Sequence, residues 1–290
     1  MTSIRLPRLL NAVERPSLSR QMMRIGTAIV LIFIAIALLA PILQAIGIVQ
    51  SPTEFLDNPP HAAPSARHWF GTSSLGYDVF SRTLFGTQAA IQVVILATAL
   101  SLIVGVPLGM VSGYRGGTLD RALLFLMDTI YTLPGLLLSV TLAFVVGRGI
   151  LNAAIALSIA YVPQYYRVVR NQTVSVKTEL FIEAAQAMGA STWRVLKKYL
   201  FANVIQSVPV LFTLNAADAI LTLGGLGFLG LGLPDEVPEW GHDLREALDA
   251  LSTGGIWWTA LFPGLAMTLL VVGLSLFGEG LNEYVDRKTR

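Results

Sequence analysis

One run of residues restricts this chain more than any other: between Arg24 and Glu54 there is no charged side chain. A helix needs about 20 mostly apolar residues to cross the hydrocarbon core of a bilayer, and the segment 25–49 exceeds that. Comparable runs recur within 83–114, at about 122–147 and 150–166, and again at about 204–233 and 258–281. In lipid every backbone polar group must find its partner inside the protein, which leaves helices and closed barrels, and runs of this length are helical. The expectation is an all-α membrane protein with about six transmembrane helices. Composition agrees: 13% of the 290 residues are charged, about half the share usual in soluble domains. The first run follows a basic lead, as a secretory signal would, but it is longer than the 7 to 15 residues usual for a signal core. It reads as an anchor.

Arginine and lysine set the orientation, because cytoplasmic segments collect them. With the N-terminus inside and six passages, the inner side receives Arg5, Arg8, Arg15, Arg20 and Arg24 from the leading tail, then Arg115 and Arg121. Arg167, Arg170, Lys177, Arg194, Lys197 and Lys198 follow in the loop 167–203, and Arg287, Lys288 and Arg290 in the closing tail. That is sixteen of the 20 basic residues. Both ends are therefore expected inside. The implied division is a tail over 1–24, a first span over 25–49, an external segment over 50–87, a core over 88–283 containing the loop 167–203, and a tail over 284–290.

Several chemistries are excluded. There is no cysteine, so disulfides and thiolate catalysis are absent. No lysine follows a glycine, so no phosphate-binding loop of the GxxxxGK[ST] type exists. The net charge of +2 is too small to suggest a nucleic-acid binder. His61, His68 and His242 fall in external segments without metal-ligand spacing, and read as solvated or structural.

The inner loop holds the stretch "ELFIEAAQAMGASTWRVLKKYLF" (179–201). A first helix over about 179–188 puts Leu180, Ala184 and Met188 on one face, with Phe181 and Ala185 beside them. Gly189 supplies a left-handed stop, and Ser191 can cap a second helix. That helix carries Trp193, Leu196 and Leu200 on one stripe, with Lys197 and Lys198 able to snorkel to lipid headgroups. Such a helix-turn-helix is either a docking element for another protein or an amphipathic element lying on the bilayer.

"EAAQAMGA" resembles the EAA loop of ABC-importer membrane subunits. "HWFGTSSLGYDVFSRTLFG" (68–86), "GYRGGTLDRALLFLMDTIYTLPGLLL" (113–138), "GFLGLGLP" (227–234), "EWGHDLREA" (239–247) and "FPGLAMTLLVVGLSLFGEGLNE" (262–283) are similar to signatures of the dipeptide/oligopeptide/nickel branch, in its C-type subunit. The resemblance implies a type I ABC-importer permease fold and a place in the bacterial cytoplasmic membrane. It implies a B-type permease partner, two cytoplasmic ATPase subunits that bind ATP and Mg, an external substrate-binding protein and surrounding lipid, with no cofactor in this chain. The cargo implied is a short peptide, with nickel chelates or another small solute as alternatives. Phe181, Glu183, Ala184, Ala185, Met188 and Gly189 would form the coupling element seated in an ATPase cleft. Two departures stand out. The usual proline near the end of the coupling loop is replaced by Ala202, leaving the bend into span five open, and Leu223 stands where a glutamate is common. A stand-alone secondary transporter or channel is the rival reading. It would need an ionisable relay, for which only Asp128 and Asp218 are available.

Asp128, near the inner end of span three, reads as a salt link or hydrated end, or else as part of the path. Asp218, deeper in span five, should avoid lipid and is a candidate for lining the path. Gly224, Gly225, Gly227, Gly230 and Gly232 fit close helix packing or an unwound outer end. The acids of 234–257 form either a solvated face or a surface for a binding protein or cationic cargo. The proline-rich stretch 48–87 is expected to be an irregular cap ending in a short amphipathic helix.

Overall fold

The computed structural model describes residues 18–55 and 57–289, so Arg5, Arg8, Arg15 and Arg290 of the charge argument lie outside the described residues. The described chain is helical. The helices are α1 (Leu18–Ala45), α2 (Val79–Arg115), α3 (Gly117–Tyr131), α4 (Gly135–Val146), α5 (Ile150–Val176) and α6 (Leu180–Ala187). They are followed by α7 (Thr192–Phe228), α8 (Trp240–Gly254) and α9 (Trp258–Thr289). α1, α2, α7 and α9 are each long and apolar enough to cross a bilayer, and α3 with α4 makes a fifth, broken passage. α5 is the sixth. It is wrapped by α2, α3, α4 and α7, a setting in which a helix need not be oily all round.

The centre of the bundle is the pair α2–α5, which run side by side in the same direction, Ser101 level with Ser158 and Gly113 level with Thr173. Ala97, Ser101, Gly105, Gly109 and Gly113 recur every fourth residue on α2 and are buried. Residues four apart share a helix face, so this small stripe lets α5 come to backbone contact. A Cβ at Gly105 would lie 2.7 Å from Tyr165 Cβ, one at Gly109 2.7 Å from the Tyr166 carbonyl oxygen, and one at Gly113 2.6 Å from the Arg170 carbonyl oxygen. Ser101 donates across the contact to the Ser158 carbonyl at 3.1 Å. A second close pair, α1 with α9, meets at Gly26, Gly273 and Gly280, the last against Met23. The start of α1 therefore lies beside the end of α9, and the two ends of the described chain share one side of the bundle.

Three expectations about elements change. The third span is not one helix: α3 and α4 meet at 90° across 132–134. Pro134 lacks an N–H and pushes the residue before it out of helical geometry, so α3 stops at Tyr131 and α4 restarts at Gly135. The fourth span extends ten residues past its expected end, to Val176, which places Arg167 and Arg170 on helix rather than loop. The stretch before α2 ends in no separate amphipathic helix; turns give way directly to α2 at Val79, whose start is capped by Asp78.

Ala202 lies inside a continuous helix rather than at a bend. α7 runs from Thr192 to Phe228 without a break, absorbing its irregularity as a π-turn over Val195–Leu200 and a 3₁₀ turn over Ile205–Ser207.

Replacing Gly109 by valine should cost about 1–3 kcal/mol of stability through overpacking against α5. Gly135→Ala, which meets no atom within 4 Å, should leave thermal unfolding in detergent nearly unchanged.

Candidate coupling site and translocation face

The inner ends of α2 and α5 carry the helix-turn-helix. Lys177 donates to the Gly113 carbonyl at 2.8 Å, Gln186 donates to the Tyr114 hydroxyl at 3.1 Å, and Gln172 hydrogen-bonds Ser207. Asp120 of α3 locks the same end, taking two hydrogen bonds from Arg170 at 2.6 and 3.0 Å and one from Ser112 at 2.5 Å. α6 then has two distinct faces. Ile182 and Ala185 are turned inward and buried, whereas Leu180 is 80% and Met188 79% exposed, with Phe181, Glu183, Ala184 and Gly189 also exposed. Five of the six expected coupling residues thus share an outward surface. Ala185 does not; it belongs to the seat.

Gly189 adopts φ +79°, and the Ser191 side chain accepts from the Arg194 N–H, as the sequence suggested. The expected stripe of Trp193, Leu196 and Leu200 is altered. Val195, Leu196 and Leu200 are buried while Trp193 is 70% exposed. The π-turn accounts for this, because its i to i+5 repeat aligns Val195 with Leu200 rather than following the α-helical period.

A second surface faces away from the bundle at mid-membrane. On α7, Leu214, Asp218 and Leu221 are exposed along one line. Asp218 accepts from the Tyr161 hydroxyl at 2.9 Å, and Tyr161 also reaches Thr222 Oγ1 at 3.3 Å. The break between α3 and α4 borders this line, since a Cβ on Gly225 would lie 3.0 Å from Leu136 Cδ1. Residues 131–137 are all exposed. Irregular backbone and a carboxylate are costly at membrane depth unless protein or water meets them. Asp128 lies on α3 beside the same break, paired with Arg167 at 2.6 Å, whose guanidinium stacks over Tyr131. Asp128 is thus in a half-exposed ion pair. Neither Tyr161 nor Thr222 was legible as a partner of Asp218; only their shared depth in neighbouring spans could have hinted at it. Leu223 is 1% exposed, inside the apolar core, so its hydrocarbon side chain suits its place while Asp218 carries the charge nearby.

The outer end is a clasp. Trp240 is buried over Gly86, where a Cβ would lie 2.6 Å from the indole nitrogen, and donates to the Thr83 carbonyl at 3.0 Å. Arg82 and Asp243 form a buried pair at 2.6 Å. Trp258 donates to the Thr72 carbonyl at 3.2 Å, and Asp78 joins His68 at 3.1 Å and the Ser81 N–H at 2.9 Å. Gly224 and Gly227 admit the start of α8, where Gly241 and Glu239 touch them. Close packing therefore explains these glycines, and Gly230 at φ +76° ends α7. The acids of 234–257 are largely committed inside the chain: Asp235 to Arg148, Asp243 to Arg82, Glu246 to His242, and Glu239 to the N–H groups of Gly241 and His242. Asp235, Glu236 and Asp249 remain exposed, whereas Glu239, Asp243 and Glu246 are turned into the fold.

A bundle of long apolar helices with an inner helix-turn-helix tied to it on one side has the form of a membrane transport subunit. Residues 105–290 match the family described as "Binding-protein-dependent transport system inner membrane component". The chain is 35% identical over 267 residues to the dipeptide transport system permease protein DppC of Alkalihalophilus pseudofirmus, covering 92% of this chain and 86% of that one. It is 35% identical over 227 residues to the glutathione transport system permease protein GsiD of Pectobacterium atrosepticum, covering 78% and 75%. Against the probable D,D-dipeptide transport system permease protein DdpC of Escherichia coli it is 36% identical over 225 residues, covering 78% and 75%. Among solved structures, an inward-facing MetNI methionine ABC transporter aligns with a TM-score of 0.55 at 18% identity, covering 71% of this chain and 95% of that one, a likeness of fold. The chain belongs to this family of ABC-importer permease subunits, in the branch that includes the dipeptide permeases.

Burial raises the Glu239 carboxyl to about 7, against the two N–H bonds that favour its charge. The hydrogen bond to Glu246 holds the His242 imidazolium above its ordinary value. Both raised groups contribute stability that is full below their unfolded values and lost as pH rises through their folded ones. Through Glu239 the clasp should therefore weaken between about pH 4.5 and pH 7, and through His242 as pH rises above 6.5; a thermal-unfolding series should show Glu239→Gln flattening the lower part of that slope.

Proposed function

We propose that this chain is half of the translocation path of a bacterial inner-membrane importer for short peptides, and that α6 is the element through which separate ATPase subunits drive it. The observation that carries the reading is the two-faced α6. One face is fixed to α2 through Gln186 and packs against the start of α7, with Ile182 and Ala185 buried, and the other offers Leu180, Phe181 and Met188 with nothing over them among the described residues. Burying one such side chain is worth about 1.5–3 kcal/mol, so a cleft that receives three of them is seated firmly. Ala184 sits in that exposed face and permits close approach, Glu183 offers a charge to polar groups of the cleft, and Gly189 sets the turn. ATP and Mg belong to the partner subunits in this scheme.

The uncovered mid-membrane face supports the second half of the proposal. A B-type permease subunit facing it would enclose Asp218, Tyr161 and the α3–α4 break in a shared path. A dipeptide carries an ammonium group, and Asp218 is a carboxylate on that face. The names of the relatives, dipeptide and glutathione permeases, support peptide cargo delivered by an external binding protein. They also favour the importer over a transporter acting alone.

Two outcomes test this. Ala184→Phe, at an exposed site, should change the subunit's stability by less than about 0.5 kcal/mol, while ATP-driven peptide uptake in proteoliposomes of the assembled complex falls at least tenfold (roughly 1.4 kcal/mol of lost coupling). Wild-type uptake in that variant would contradict the coupling role. Asp218→Asn should lower uptake of peptides with a free amino terminus by roughly ten- to a hundredfold, the scale of a charged hydrogen bond; unchanged uptake removes Asp218 from the path.

A further inference from the structure

At the inner side, α2 and the first turns of α7 enclose a groove of roughly 350 Å³ lined by Val106, Pro107, Met110, Val111, Leu196 and Phe201, with Trp193 and Lys197 at its mouth. A depression lined by Ser191, Trp193, Arg194, Lys197 and Lys198 adjoins it, sharing Trp193 and Lys197. The groove begins about 6 Å from the inner end of α2 and runs some 8 Å further toward the membrane centre, at 1.5 Å per residue. Its walls are hydrocarbon and its entrance is cationic. Arg194, Lys197 and Lys198 pair with no carboxylate among the described residues.

We infer that this groove and its basic rim bind one anionic phospholipid of the inner leaflet, an acyl chain lying along Val106, Met110 and Phe201 and the headgroup phosphate meeting Arg194, Lys197 and Lys198. Three observations favour that occupant over a protein segment. The rim carries three unpaired cations, so a protein partner would have to bring matching acids, whereas anionic headgroups already stand at this depth. Trp193 is exposed at the same level, and tryptophan concentrates at membrane interfaces. The groove's depth continues into the hydrocarbon rather than out toward the aqueous side. The π-turn over Val195–Leu200 helps to make the site, because it keeps Trp193 out of the core and at the mouth. Bound there, the lipid bridges α2 to the start of α7, next to α6. The site rests only on the inner-side assignment and stands whether or not α6 engages an ATPase.

Trp193 reports on the groove directly, since Trp69, Trp240, Trp257 and Trp258 all belong to the outer half of the fold. The subunit, purified with its partner subunits and reconstituted, is titrated with phosphatidylglycerol or phosphatidylcholine carrying brominated acyl chains. The Trp193 signal is taken as the difference from Trp193→Phe. Half-quenching is expected at an at least roughly fivefold lower mole fraction of the anionic lipid. That preference should fall to about one in the triple variant Arg194→Gln, Lys197→Gln, Lys198→Gln. In the unmodified chain, raising the salt concentration should narrow it, which keeps the test available if the variant misfolds. Equal quenching by the two lipids would overturn the headgroup site, and no quenching by either would show that protein covers the groove.

Discussion

Everything on the inner side depends on how closely α2 and α5 approach. Five small residues at four-residue intervals, from Ala97 to Gly113, remove the side chains that would hold the two helices apart. In lipid no hydrophobic drive favours one helix neighbour over another, so packing and a few hydrogen bonds decide the partner. The stripe makes that decision for α2. It also sets the register, because Gly113 and Thr173 come level at the inner end and bring Lys177, Tyr114 and Asp120 within reach of their partners. A displacement of the α5 end is then a displacement of α6. A knuckle so tied can transmit force in either direction between the membrane core and whatever holds its outer face.

The two ends of the bundle are built for opposite tasks. Outside, Trp240 over Gly86, Arg82 with Asp243 and Trp258 on Thr72 close the loops onto the start of α2 and turn most of the local charge inward. Inside, the contacts stop at one side of α6 and leave the other side free. Between them, the α3–α4 break and Asp218 leave a polar strip that a single chain does not cover. Rigid at the outer rim, incomplete at the middle and offered at the inner rim, the subunit has the form of a part made for assembly.

Much of this was legible in the sequence for simple reasons. Span positions follow from hydropathy, and the knuckle follows from a charged, small-residue interruption with a glycine at 189 and a serine at 191. The parts that were missed share a cause. The 90° break is signalled by Pro134, but the apolar run reads straight through it, so hydropathy joins what backbone geometry separates. The α2 stripe was visible as glycines four apart and became meaningful only with α5 opposite. Ala184 and Ala185 are the same residue type, and their opposite roles follow from the seating of α6. Asp243 finds Arg82 across 161 residues, a pairing that local sequence does not specify, and so part of an acidic loop read as surface turns out to be internal structure. The π-turn likewise breaks the 3.6-residue period on which the Trp193 stripe relied.

The central claim is that the outer face of α6 lies on the cytoplasmic side and is gripped there by an ATPase. The chain has no cysteine, so Met188→Cys provides a single reporter at an apolar position that is 79% exposed. Labelling with a membrane-impermeant maleimide should succeed in inside-out vesicles stripped of ATPase, fail in right-side-out vesicles, and be blocked when the ATPase subunits are added back. Labelling from outside, or labelling indifferent to the ATPase, would contradict the account.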